Sequence, residues 1–72
     1  RSAHAQEIDA RVRLALDALS PAQKTAFVLR HYEDLPLADI AGAMGCTVGS
    51  VKVHLFRALK KMRRELKDLH DA

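Results

Sequence analysis

The chain has no tryptophan, one tyrosine, two phenylalanines, one cysteine, two prolines and three glycines among its 72 residues. So little aromatic material leaves the core to Leu, Val, Ile, Ala and Met. The single cysteine, Cys46, excludes an internal disulfide and suits a reducing cytoplasm. Long apolar runs are missing too. Uninterrupted stretches such as "AFVL" reach about four residues, whereas a membrane span takes roughly 20, and no secretory pattern opens the chain. Four histidines and the cysteine, at positions 4, 31, 46, 54 and 70, have no metal-ligand spacing. That argues against zinc and leaves no metal or other cofactor to assign. No Ser/His/Asp, Cys/His or paired-carboxylate grouping suggests catalysis, and His31 and His54 read as a surface residue and a partly packed one. The expectation is a protein that is not an enzyme.

What is present is charge, unevenly spread. Net charge is +3, but residues 1–50 carry five Lys/Arg against six Asp/Glu, a net of −1, and residues 51–72 carry seven against three, a net of +4. A basic C-terminal third points toward a polyanion. The length suits one domain, residues 1–72, near the size where a single core barely offsets conformational entropy. Strand-like alternation is absent, so the chain reads as all-α.

Four helices are expected, at about 3–18, 21–32, 37–44 and 48–69. The first lines up Ile8, Val12, Ala15, Leu16 and Leu19 on one side. "SPAQ" then supplies Ser20 as an N-cap, Pro21 at the first helical position and Gln23 three residues after the cap, a capping-box start. The second helix buries Ala26, Phe27 and Leu29 and breaks at "YEDLP", because the residue before a proline resists the α region. In the third, Leu37, Ile40, Ala41 and Met44 sit at i, i+3, i+4 and i+7. Gly45 supplies a left-handed residue at its end, and Thr47 caps the fourth helix. Cys46 reads as a small hydrophobe rather than a reactive thiol, since no second cysteine exists to resolve it.

The fourth helix carries the functional argument. At about 100° per residue, Val51, Leu55, Ala58, Leu59, Met62, Leu66 and Leu69 share an arc of roughly 100°. Counted the same way, Gly49, Lys52, Val53, Phe56, Arg57, Lys60, Arg63, Arg64 and Lys67 fill the opposite arc, roughly 140° wide. A cationic stripe holding a phenylalanine, a valine and a glycine suits a major-groove reader better than a plain solvent face. Lys and Arg attract phosphate and donate to guanine O6 and N7, while Val53 and Phe56 offer surface to thymine methyls and base edges. Gly49 and Ser50, in the first turn, let the backbone come close and bring helix-terminal amides near a phosphate. Lys60, Arg63, Arg64 and Lys67 leave the groove for the DNA backbone or another partner.

"LADIAGAMGCTVGSVKVHLFRAL" has the layout of a helix-turn-helix over about residues 37–59, in which the second helix enters the major groove. Ala41, four residues before Gly45, permits a close crossing, and Val51, six after it, packs back into that crossing. The longer string "LSPAQKTAFVLRHYEDLPLADIAGAMGCTVGSVKVHLFRALKKMRREL" closely resembles domain 4 of bacterial sigma factors, most of all the extracytoplasmic-function (ECF) group of the sigma-seventy family. The likeness rests on Leu19-Ser20-Pro21, Val28-Leu29-Arg30, Leu35 to Ala41, Gly45 to Lys52 and Arg57-Ala58, and covers about residues 12–69. Pro36 departs from it, standing where a Ser or Thr cap is common. So do Val53 and His54, which replace Ser and Arg and change the donors facing a groove.

The resemblance implies a four-helix domain with a C-terminal helix-turn-helix and no wing, acting in the bacterial cytoplasm. It implies binding to the −35 promoter element, docking on the β-flap of RNA polymerase, and masking by an anti-sigma protein. Residue by residue, it implies that Ser50, Lys52, Val53, Phe56 and Arg57 touch bases or adjacent phosphates. It also implies that Gly49 allows close approach and that Arg30 holds a backbone phosphate. Domain 2, which melts and reads the −10 element, is not in the sequence, so the chain reads as a fragment that does not initiate transcription alone. Two rival readings stand beside this one. The LuxR-type output domain of response regulators shares the "VKVH" pattern but typically opens with an Arg-Glu pair and lacks the Phe-Arg-Ala triplet of residues 56–58. A pure interaction module would use the basic helix to bind an acidic partner.

Overall fold

The computed structural model of the chain describes residues 3–67. Four helices follow one another, α1 (Ala3–Asp17), α2 (Pro21–His31), α3 (Leu37–Met44) and α4 (Val48–Glu65), and no strand occurs among the described residues. The all-α expectation holds, and three of the four helices end within one residue of the expected position.

α4 is the exception. Expected to reach Leu69, it closes at Glu65, with Leu66 at φ −106°, ψ 15° and its N–H bonded to the Met62 carbonyl. Past Met62 only Leu66 still packs on the core among the described residues. Propensity without packing holds a helix end weakly. Leu69, assigned to the core stripe, lies outside the described residues.

The local rules explain the joints. α1 tightens as it ends, with Ala18 N–H donating to the Ala15 carbonyl and Leu19 N–H to the Leu16 carbonyl, both at 3.1 Å. These i→i−3 bonds turn Leu19 inward. Ser20 and Gln23 then form the reciprocal cap. Gln23 N–H donates to Ser20 Oγ at 3.3 Å and Ser20 N–H to Gln23 Oε1 at 3.1 Å, and Gln23 is buried while doing so. An exposed ion pair, Lys24 Nζ to Asp17 Oδ1 at 3.1 Å, spans the same turn. Pairs of that kind contribute ~0–1 kcal/mol, so the turn owes its shape to the cap.

Two apolar clusters make the core, and α4 belongs to both. Ala15, Leu16 and Leu19 meet Phe27 of α2 and Ala58 and Met62 of α4, with Val12, Leu59 and Leu66 at the edge. Toward the other end of α4, Val51 meets Ile40 and Ala41 of α3, with Leu29, Leu35, Leu37, Met44, Cys46 and Leu55 around them. Ile40 and Val51 are fully buried, at 0% exposure. An eight-residue helix is marginal alone, so α3 owes its place to this lock on α4. No described helix is long and apolar enough to cross a membrane.

Candidate nucleic-acid interface

The turn between α3 and α4 aims the second helix. Gly45 adopts φ 67°, ψ 37°, and its N–H reaches the carbonyls of Ala41 and Gly42, while Cys46 N–H donates to the Ala41 carbonyl at 3.0 Å. A side chain at Gly45 would strain this left-handed conformation. Thr47 follows as N-cap at φ −87°, ψ 160°. Its Oγ1 accepts from Ser50 N–H at 3.0 Å and donates to Ser50 Oγ at 3.1 Å, so the Ser50 hydroxyl keeps its own proton to offer. Val51 N–H bonds the Thr47 carbonyl at 3.1 Å. The amides of Val48 and Gly49 are left at the positive end of the helix.

With Val51 locked inward, the rest of α4 has its orientation fixed. Phe56 is 68% exposed and Val53 45% exposed, and Gly49, Lys52, Arg57 and Lys60 are exposed around them, with Ser50 half-buried. Seven of the eight candidate residues therefore lie on one helix, their apolar members outward. Among the described residues none of Lys52, Arg57, Lys60, Arg63, Arg64 and Lys67 forms an ion pair, the exposed pair involving Lys24 and Asp17 instead. No carboxylate among the described residues pairs with the positive charge of the stripe.

A shallow depression of about 390 Å³ opens at the start of α4, lined by Thr47, Gly49, Ser50, Val53 and His54. Thr47 and His54 were not among the contact residues read from the sequence. The helical wheel sets His54 outside the cationic arc, yet its half-buried ring shares the depression with Ser50, its i−4 neighbour, and that spacing was the available signal. A separate apolar groove of about 400 Å³ lies along the C-terminal half of α4, between Leu59, Met62, Arg63, Leu66 and Lys67.

Arg30, the eighth candidate, sits on the last turn of α2 with its side chain exposed. Its Nη1 donates to the Leu35 carbonyl at 2.9 Å, so part of the guanidinium is already engaged. Among the described residues no group of three or more His, Cys, Asp or Glu is arranged to hold a metal ion. The side chains of His4 and His70 lie outside that set.

Comparison with known proteins bears on the same residues. The family model described as sigma-70, region 4 matches residues 9–62. The RNA polymerase sigma-E factor of Streptomyces antibioticus is 42% identical over 52 residues, which are 72% of this chain and 29% of that protein. RNA polymerase sigma factor SigV of Bacillus subtilis is 48% identical over 52 residues, 72% of this chain and 31% of that protein. The ECF RNA polymerase sigma-E factor of Haemophilus influenzae is 41% identical over 46 residues, 64% of this chain and 24% of that protein. The matched part is less than a third of the length of each of these relatives.

Proposed function

The chain belongs to the sigma-70 region 4 family, as region 4 of an ECF sigma factor, and from that premise we propose that it reads the −35 element of promoter DNA through α4 while docked on the β-flap of RNA polymerase. The observation that supports this most is the exposed Phe56, set with Val53 among cations that have no ion-pair partner in the described residues, on the side of α4 opposite the core. A ring that adds little to folding in that position has its use outside the fold.

Dimensions fit the reading. Gly49 to Arg57 is eight helical steps, about 12 Å along a helix axis, and the major groove is about 12 Å wide. Gly49, Ser50, Lys52, Val53, Phe56 and Arg57 thus lie within one groove's reach. Lys52 and Arg57 serve phosphates or guanine edges, Val53 and Phe56 thymine methyls, and Ser50 donates its remaining hydroxyl proton. Lys60, one turn further on, meets backbone phosphate, and Arg30 adds a phosphate contact from α2. Polymerase takes the exposed apolar positions elsewhere, for which Leu14 of α1 and Tyr32 after α2 are the candidates. An anti-sigma protein silences the domain by covering one of these surfaces. On this reading the domain recognises and carries out no catalytic step, and its place of action is the bacterial cytoplasm.

The test is fluorescence anisotropy of the 72-residue chain on a duplex carrying a −35 element of an ECF promoter and on its shuffled counterpart, across a salt series. Tighter binding to the matched duplex, with log K falling linearly against log salt, is expected. Equal binding to both duplexes at every salt concentration would overturn the reading in favour of an interaction module.

A further inference from the structure

α3 begins without a side-chain cap. Pro36 occupies the N-cap at φ −62°, ψ 151° and makes no side-chain capping bond; only its carbonyl serves the helix, accepting from Asp39 N–H at 3.0 Å and Ile40 N–H at 3.1 Å. Something else must hold the entry to this eight-residue helix. The preceding turn is tied back to α2 by Tyr32 N–H and Glu33 N–H, which donate to the Val28 carbonyl at 2.9 and 3.1 Å, and by Leu35 N–H, which donates to the Leu29 carbonyl at 3.0 Å. Asp34 takes φ 58° to make that reversal, a conformation Asp tolerates better than most residues. The remaining polar group of Leu35, its carbonyl, accepts from Arg30 Nη1 at 2.9 Å. Both backbone groups of Leu35 thus return to the last turn of α2, and its side chain packs on the cluster of Ile40, Ala41 and Val51.

We infer that Arg30 is a positioning residue for the helix-turn-helix: by pinning the Leu35 carbonyl it fixes the α2–α3 turn, and through α3 the orientation in which α4 meets DNA. This rests on the DNA-reading role proposed above and goes beyond it, because a phosphate ligand alone leaves the angle between helices untouched. The two roles have different signatures. A phosphate contact strengthens binding to every sequence and adds ~0.9 to the salt slope. A positioning group acts on the match between helix and bases, so its loss lowers selectivity.

Arg30→Lys separates them. Lysine keeps the charge but reaches about one bond, ~1.3 Å, less far, which takes the contact beyond hydrogen-bond distance. Two quantities are measured on the 72-residue chain: hydrogen exchange at the Glu33 and Leu35 amides without DNA, and the ratio of affinities for matched and shuffled duplexes over a salt series. The variant is expected to exchange roughly three- to tenfold faster at both amides and to lose selectivity by a similar factor, with an unchanged salt slope on the shuffled duplex. Exchange as slow as in the parent chain overturns the clamp, and faster exchange with full selectivity overturns its role in reading DNA. If the parent chain itself prefers no duplex, the promoter-reading proposal fails, while the exchange rates still decide whether Arg30 holds the turn.

Discussion

Truncating Phe56 to alanine tests the division of labour on α4, because the two uses of a ring differ in magnitude here. The side chain is 68% exposed, so about a third of it is covered. Complete burial of a phenylalanine is worth ~1.5–3 kcal/mol, and a third of that is at most ~1 kcal/mol. In a domain this small such a loss lowers Tm by about 4–8 °C. Phe27 provides the internal contrast at 9% exposure, packed in the cluster of α1, α2 and α4. The same truncation there costs ~3–5 kcal/mol, comparable to the whole stability of a chain this short. On DNA the order reverses: if Phe56 reads one base pair, its loss removes up to the ~1–3 kcal/mol that one wrong base pair costs, roughly five- to 150-fold in relative affinity. Thermal melts followed by circular dichroism give the first quantity, and anisotropy on matched and shuffled duplexes gives the second. If Phe56→Ala melts like Phe27→Ala, or weakens both duplexes equally, the ring is not a base-reading element and the reasoning fails.

Three further outcomes follow from the geometry. Lys60→Ala should weaken matched and shuffled duplexes alike and reduce the salt slope by ~0.9, one phosphate's worth; a loss confined to the matched duplex in the anisotropy series would assign Lys60 to bases. Gly49→Ala should leave Tm unchanged or raise it, since the added Cβ meets only Thr47 Oγ1 at 3.8 Å and alanine favours a helix by up to ~1 kcal/mol. It should nevertheless lower matched-duplex affinity several-fold, and unchanged affinity would remove the close-approach role. Ile40→Ala, at a fully buried site, should cost ~2–5 kcal/mol in urea unfolding, and a cost below ~1 kcal/mol would contradict the lock between α3 and α4.

The sequence exposed most of the frame because its punctuation is local chemistry. Ser20, Pro21 and Gln23 act within one turn, and the capping bonds form as that spacing requires. Gly45 and Thr47 likewise act on their immediate neighbours, so the bounds of α3 and the start of α4 were readable. The inward and outward faces of α4 followed from a 3.6-residue period, which put Val51 in and Phe56 out. The end of α4 was not readable, because helix-forming composition continues past Glu65, where Leu66 is the one described residue that still packs on the core. Arg30 shows a different limit. Its bond to the Leu35 carbonyl crosses a turn that contains a positive-φ aspartate, and no periodicity encodes a contact across irregular backbone. The depression that gathers His54 with Ser50 and Val53 was missed for a related reason: a wheel records angle about one axis and ignores how a capped first turn opens the surface beside it.

The most direct measurement of the central claim is an NMR titration of the chain with duplex DNA bearing the −35 element, following every backbone amide. The account predicts that the largest shift changes run from Gly49 to Lys60, and that they are smaller with a shuffled duplex. Changes concentrated on α1 with α4 unmoved, or identical changes with both duplexes, would contradict it.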